Sequence, residues 1–478
     1  MPLILGAQSA LGPPALVTNS CRFNSGDDPV MEKSLGTPTS TKIFTVSTWV
    51  KAMSDASADT CVAAGYVSSS DFWNLQFGSS KIQLTGTGNL DLATTQVFRD
   101  ASAWWHICMA VDTSQVTDTN RVKLYVNGTQ ITSFSTTTYP TQDDVPAWCN
   151  SSATLYVGNG RTSGALSKPF EGYMAEFCFV DGQQLAPTSF GEFDSDSPTI
   201  WKPIDVSGLT FGDNGCYLDF EDSANLGNDA NGGTDLTETN ITAVDQTTDT
   251  PVNNFATWNP LARNPSDTGS LAEGNTVYTI SSNAYNTKST LAMTAGKWYW
   301  EQKATLINAR VGVNTSQANN NKDSDDGSFY WGGTGFGGTH TVTATDSTNW
   351  QLTNNDTSSN ISTLPGTAIS YSAGDIVMIA LDVDTGKMWY GLNGTWFNSG
   401  DPGAGTTPVV TITNGSPDPF MVNGSSGSGS SSTISVNFGN PAYAITSSNE
   451  DGNGYGNFEY AVPTVFYALC TKNLAEFG

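Results

Sequence analysis

Apolar and polar residues alternate with a period of two along much of this 478-residue chain. In 43–51, Phe44, Val46, Thr48 and Val50 fall on one side of an extended segment and Ser47 and Trp49 on the other, the pattern of a strand with one face toward a core. The same period recurs in 106–111, 122–126 and 173–180. The last two runs are followed by Asn127-Gly128 and Asp181-Gly182, dipeptides that tolerate positive φ and close hairpins. A second dense strand region spans 277–438, and sustained helical periodicity is hard to find. This pattern predicts an all-β chain of antiparallel β-sandwiches of the jelly-roll type.

Turn-forming clusters divide these regions. Residues 212–264 carry Asp-Asn-Gly, Gly-Asn-Asp, Asn-Gly-Gly and Asp-Thr-Pro with few apolar runs, which reads as an extended connector. The expected organisation is an N-terminal lead (1–38), a first sandwich (39–200), a connector (201–268), a second sandwich (269–442) and a C-terminal segment (443–478). The Gly/Ser run 424–432 reads as a hairpin loop between two apolar strands. The sandwiches share composition but no motif order, so a repeat architecture is disfavoured.

Charge narrows the partners. With 45 acidic and 19 basic side chains the formal net charge is −26, and no basic run offers a footprint for phosphate backbones, which excludes nucleic acid and disfavours anionic membranes. No run approaches the roughly 20 apolar residues of a membrane helix, and the start Met1-Pro2-Leu3-Ile4-Leu5-Gly6-Ala7 lacks a basic n-region, so no membrane insertion is expected. Charged residues are only 13 % against about 25 % in typical domains, which leaves a surface of uncharged polar groups. The seven cysteines are scattered without CxxC spacing, as expected of buried thiols in a reducing cytoplasm rather than disulfides or metal ligands.

Catalytic chemistry finds little material. There are two histidines, His106 and His340, each read as a packed or solvent-edge residue rather than a base. Glu171 and Glu176 are five apart, which on a regular strand puts them on opposite faces, and no E-x-D-x-x-E spacing occurs. The glycine cluster 335–338 lacks the lysine and helix of a phosphate loop. No catalytic residue, metal site or cofactor is therefore expected. The acidic loop 320–327 offers oxygen ligands suited to Ca²⁺ but lacks the spacing and bidentate glutamate of an EF-hand; a solvated loop is the first reading and calcium the alternative. Next to it, Tyr330 and Trp331 with Asp325 and Asp326 form a candidate sugar-binding patch, because rings stack on C–H faces while carboxylates take hydroxyls. Core packing is the default reading for both rings. Trp148, beside Pro146 and Cys149, is the corresponding candidate in the first sandwich.

Two resemblances sharpen this picture. Phe44-Thr45-Val46-Ser47-Thr48-Trp49-Val50, Trp104-Trp105-His106-Ile107, Val122-Lys123-Leu124-Tyr125-Val126-Asn127-Gly128, Leu155-Tyr156-Val157-Gly158 and Phe170-Glu171-Gly172-Tyr173 occur in the order found in laminin-G-like, concanavalin-A-like jelly rolls, which the first sandwich resembles. Lys297-Trp298-Tyr299-Trp300-Glu301, Arg310-Val311-Gly312 and the segments 374–382 and 386–394, ending in Asn393-Gly394, resemble the SPRY family. In that family one end of the sandwich forms the binding surface, where 328–333 would fall. The pairing of these domains, the lead Met1-Pro2-Leu3-Ile4-Leu5-Gly6 and the ending Leu469-Cys470-Thr471-Lys472-Asn473-Leu474 are similar to virion proteins of tailed bacteriophages. That resemblance implies a non-enzymatic tail or capsid fibre on the virion exterior, assembled in the host cytoplasm. It would be held to other virion proteins through the lead (Met1 to Asn24), homo-oligomeric with a trimer favoured, and would bind a host surface glycan or protein. A capsid-decorating or tail-assembly protein with no receptor is the alternative, and a glycan-degrading tailspike a third.

Overall fold

The computed structural model describes residues 17–52, 59–263, 267–280, 286–305, 309–315, 339–344, 350–354, 357–361, 372–411, 419–426 and 432–478. They belong to two compact units, Pro13–Val252 and Asn253–Gly478. The architecture is all-β: each unit is a sandwich of antiparallel sheets, as the alternating pattern predicts.

In the first unit, one sheet runs in the order Thr129–Ile131, Val122–Val126, Trp105–Asp112, Ile43–Ala52, Gly172–Asp181, Ser20–Phe23, Gln246–Thr247, with Cys216–Leu218 also paired to Gly172–Asp181. The other runs Phe134–Thr138, Asp91–Thr94, Lys81–Gly86, Asp71–Gly78, Thr60–Ser68, Thr154–Val157, Val30–Ser34, Thr237–Thr239. Phe44, Val46, Ile107, Met109, Phe177 and Phe179 from one sheet meet Trp73, Leu75, Ile82, Leu84 and Leu155 from the other in a single core. Register follows from this burial, because a one-residue slip would turn every apolar side chain to the opposite face. The hairpin tip at Asn127-Gly128 has φ of 46° and 76°, the left-handed pair that lets Val126 and Thr129 face each other.

The second unit pairs a sheet ordered Ser270–Ala272, Val277–Ile280, Ser432–Asn437, Lys297–Ala304, Ile376–Asp382, Lys387–Leu392, Thr395–Trp396 with one ordered Asn286–Lys288, Phe420–Ser426, Ala309–Thr315, Thr339–Ala344, Trp350–Asn354, Thr357–Ile361. Its core contains Trp258, Trp298, Trp300, Ile379, Tyr390, Val422 and Val436. The hairpin 376–392 and the Asn393-Gly394 turn form as the sequence predicts.

Several expected boundaries move. The lead is not separate through residue 38: Ser20–Phe23 pairs with both Gly172–Asp181 and Gln246–Thr247 inside the sheet, and Val30–Ser34 is a strand of the other sheet. Residues 20–23 therefore belong to the first unit, and residues 1–16 lie outside the described residues. The expected connector is also corrected. Residues 201–252 supply strands Trp201–Pro203, Cys216–Leu218, Thr237–Thr239 and Gln246–Thr247, with Leu218, Phe220, Leu226 and Leu236 in the first core. Their Gly, Asn and Asp residues make turns between very short strands, which is why periodicity alone missed them. The second unit begins at 253 rather than 269, with Ala256 and Trp258 in its core. Of the Gly/Ser run, 427–431 lie outside the described residues, and the strands at its two ends, Phe420–Ser426 and Ser432–Asn437, lie in different sheets rather than pairing as a hairpin.

The C-terminal segment is part of the second unit. Phe458, Phe466, Ala468 and Cys470 pack on Tyr299, Met378, Ala380 and Trp389, covering the face of the sheet turned away from the core. Tyr467–Ala468 adds a parallel pairing to Lys297–Ala304, and the helix Thr471–Phe477 follows. All seven cysteines are buried free thiols, as the sequence predicts.

Candidate functional site

The first unit carries an open pocket of about 530 Å³ on the outer face of its second sheet, lined by Phe72, Gln76, Gln83, Thr85, Asp91 and Lys168 among others. Strand alternation builds it. In Asp71–Gly78, Trp73, Leu75 and Phe77 enter the core, which turns Phe72, Asn74 and Gln76 outward. In Lys81–Gly86, Ile82 and Leu84 point inward, so Gln83 and Thr85 share that outer face. Gln76 faces Gln83 across the strands, and Leu84 of the same strand faces Leu92 next to Asp91. Lys168 arrives from a distant part of the chain and is fixed by its own carbonyl, which accepts from Cys61 N at 2.9 Å.

These polar groups form one hydrogen-bonded row. Lys168 Nζ donates to Asp59 Oδ2 at 3.0 Å and to Gln76 Oε1 at 2.7 Å; Gln76 Nε2 donates to Gln83 Oε1 at 3.0 Å, and Gln83 Nε2 to the Gly78 carbonyl at 3.3 Å. The row fixes which amide end each glutamine presents and holds the side chains before any ligand arrives, which lowers the ordering cost of binding. Beside it, the half-buried Phe72 ring supplies an apolar surface. Amides, a carboxylate, a lysine and one ring around an open cleft can pair with several hydroxyls while covering a C–H face.

A second arrangement looks catalytic and is not. Ser47 Oγ lies 2.8 Å from His106 Nε2, while Trp201 Nε1 donates to His106 Nδ1 at 3.0 Å. Burial pushes the His106 pKa down to about 3, so the ring is neutral. A neutral imidazole whose Nδ1 accepts must carry its proton on Nε2, which then donates to Ser47 Oγ. The serine receives a proton donor instead of a base, and Ser47, His106 and Trp201 are all buried. His106 is therefore packed, with Trp49 and Trp201 against its ring.

Glu171 precedes the strand Gly172–Asp181, and a bulge between Ala175 and Cys178 breaks strand parity at Glu176, whose φ is 52°. Glu176 Oε2 accepts from Tyr217 OH at 2.7 Å, and burial pushes its pKa up to about 8. Glu171 Oε2 accepts from Ser25 N at 2.7 Å. Glu171 thus caps the backbone at Ser25, and Glu176 holds the Tyr217 side chain.

Trp148 is corrected as a binding residue. It is fully buried, stacked on Phe44 at 5.7 Å, with its Nε1 donating to the Trp73 carbonyl, so no ring face reaches a ligand. Tyr330, Trp331, Asp325 and Asp326, with the acidic loop considered for calcium, lie outside the described residues. Among the described residues no cluster of three or more His, Cys, Asp or Glu side chains is arranged to hold a metal ion, and no helix is long and apolar enough to cross a membrane. The outer-face pocket was missed because the sequence shows which residues of each strand share a face, but not that three strands and Lys168 converge there.

Residues 24–184 match the family described as the Concanavalin A-like lectin/glucanases superfamily. A comparison with curated proteins finds no match. Among solved structures the chain is similar to the SPRY domain of human HERC1, with 13 % identity over 37 % of this chain and 96 % of that one and a TM-score of 0.26. It is similar to a putative carbohydrate binding protein from Bacteroides ovatus, with 16 % identity, coverage of 48 % and 60 % and a TM-score of 0.32. Mouse laminin alpha1 domains LG4-5 are similar at 11 % identity, over 87 % and 85 % of the two chains, with a TM-score of 0.29. The family match covers about a third of the chain and contains all of the pocket-lining residues, including Gln76, Gln83 and Lys168.

Proposed function

We propose that this protein is a non-enzymatic glycan-binding protein and that the first unit holds its ligand in the outer-face pocket. The observation that carries this reading is the pre-ordered row Asp59, Lys168, Gln76 and Gln83 beside the Phe72 ring, in an open cleft of about 530 Å³. The lectin/glucanase family match over the same residues supports it. The finer reading, supported by the sequence resemblances, is a tail or capsid fibre of a tailed bacteriophage. In that setting the protein adheres to a host surface glycan or protein from the virion exterior, attaches to other virion proteins through its N-terminal lead, and assembles as a homo-oligomer, a trimer favoured. Tyr330, Trp331, Asp325 and Asp326 are the proposed second contact surface.

Binding of the full-length protein to a glycan array and to intact host cells tests the reading. Saturable binding that Gln83→Ala and Gln76→Ala reduce at least tenfold, with unchanged melting temperature, is expected. Absence of binding by the folded protein, with its location on the capsid, would favour a decorating or assembly role. Release of oligosaccharides from the bound glycan would overturn the non-enzymatic reading.

A further inference from the structure

One buried amide flanked by the pocket's lining residues has no hydrogen-bond partner. Asn74 lies between Phe72 and Gln76 on the outer face of its strand and pairs across the sheet with Thr85; Phe72, Gln76 and Thr85 line the pocket, and Asn74 is buried between them without lining it. Its chain neighbours Trp73 and Leu75 point into the core, so the alternation turns Asn74 toward the pocket side. It is 1 % exposed, yet neither its Oδ1 nor its Nδ2 has a hydrogen-bond partner. Folds pair buried amides because each unpaired polar group costs about 1–3 kcal/mol. The neighbouring glutamines obey that rule through the row described above, and Asn74 does not.

The cover over this part of the sheet is small. A short hairpin, Arg161–Ser163 and Ala165–Leu166, packs against strands Thr60–Ser68 and Asp71–Gly78. Arg161 latches it: the guanidinium lies 5.3 Å from the Tyr66 ring centre and 5.6 Å from that of Tyr156, and its Nη1 donates to Tyr156 OH at 2.8 Å. Gly164 N donates to Tyr66 OH at 3.1 Å. Arg161 Nε is itself buried without a partner. An unpaired Arg161 Nε and two tyrosine rings thus lie at the small hairpin, whose first strand also packs on the strand that carries Asn74.

Resting on the glycan-binding reading above, we infer that Asn74 is the specificity-determining residue of the pocket and that it reads two adjacent hydroxyls of a neutral pyranoside. Its Oδ1 accepts from one hydroxyl and its Nδ2 donates to the other, the two capacities an amide has and a carboxylate or ammonium lacks. Reaching it displaces the hairpin, and the Tyr66 and Tyr156 faces that Arg161 covers become available to the C–H face of the sugar. A hydroxyl-reading amide discriminates strongly, because a sugar lacking the hydroxyl leaves it buried and unpaired.

The test uses the full-length protein and the methyl glycosides of glucose, galactose, mannose and glucuronic acid, followed by saturation-transfer NMR and titration. Wild type is expected to bind at least one neutral glycoside more tightly than the glucuronide. Asn74→Leu, which matches the side chain in size and removes the unpaired amide, is expected to keep or raise the melting temperature while weakening that binding at least tenfold. If Asn74→Leu does not fold, Asn74→Ala, which cannot overpack, serves in the same comparison. Binding within twofold of wild type in the Asn74 variant, with Gln83→Ala still defective, overturns the role of Asn74 and leaves the pocket reading standing. Tighter binding of the glucuronide overturns the neutral-sugar assignment. Failure of wild type to bind any of the four overturns both.

Discussion

At the scale of single residues, the strongest demands come from polar groups sealed inside the first unit. His106 is held neutral with its pKa down at about 3, while an unfolded chain titrates near 6.5. Between those values the unfolded state binds the extra proton, so stability is full above about pH 6.5 and falls as pH drops toward 3, by up to about 1.4 kcal/mol per pH unit. His106→Gln is expected to flatten that part of a melting-temperature profile; an unchanged slope would show that other groups drive acid unfolding. Lys51 and Asp249 form an ion pair at 2.7 Å with both side chains fully buried, and Trp104 Nε1 donates to the second carboxylate oxygen at 3.0 Å. Burial lowers the Lys51 pKa while Asp249 opposes that shift. Removing the carboxylate takes away the ion-pair partner of a buried ammonium, so Asp249→Ala is expected to cost about 3–5 kcal/mol in urea unfolding. Lys51→Met combined with Asp249→Leu should cost much less, which a double-mutant comparison reads directly.

At the scale of elements, Glu301 shows how one side chain can dock a whole segment. It is fully buried on Lys297–Ala304 and accepts from Tyr299 OH, Asn437 Nδ2, Glu459 N and Tyr460 N. Two of those donors belong to the C-terminal segment that covers the sheet. Glu301→Ala removes an acceptor from all four, leaving Asn437 Nδ2 with only the Asn457 carbonyl, and hydrogen exchange at 455–470 is expected to accelerate at least tenfold while exchange in Ile376–Asp382 changes little. Uniform acceleration would mean that the segment and sheet open together. The strand carrying Glu301 was plain in Lys-Trp-Tyr-Trp-Glu, and so were the 376–392 hairpin and the face alternation of the central strands. What the glutamate grips was not legible, because three of its four partners lie about 140 to 160 positions downstream. The same limit hid the pocket: the parity of Gln76 and Gln83 is written in their strands, whereas the approach of Lys168 depends on pairing across the sheet. Trp148 shows the opposite limit, since nothing in Pro146 and Cys149 beside it tells that Phe44 and Phe179 of the first sheet enclose its ring.

At the scale of the whole molecule, the division at 252/253 makes a prediction that the compositional boundary does not. Residues 201–252 supply edge strands and core side chains to the first unit. A fragment spanning 17–252 is expected to unfold in one cooperative transition, whereas 17–200 lacks the strand beside Ser20–Phe23 and should remain unfolded or aggregate through its open sheet edges. Circular dichroism and analytical ultracentrifugation of the two fragments distinguish the outcomes, and a folded 17–200 would restore the connector as a true linker. The charge of −26 acts at this scale too, keeping neighbouring copies soluble through mutual repulsion.

The buried thiols give the molecule a built-in clock. Six of the seven cysteines fall in the first unit and one, Cys470, in the C-terminal segment of the second. Burial pushes the thiols of Cys61, Cys216 and Cys470 up to about 12, so in the closed protein they present almost no thiolate to an alkylating reagent. Alkylation then proceeds only as fast as each region opens. The labelling rate of Cys470 times the detachment of the C-terminal segment, while the other six time breathing of the first unit, without a single engineered probe.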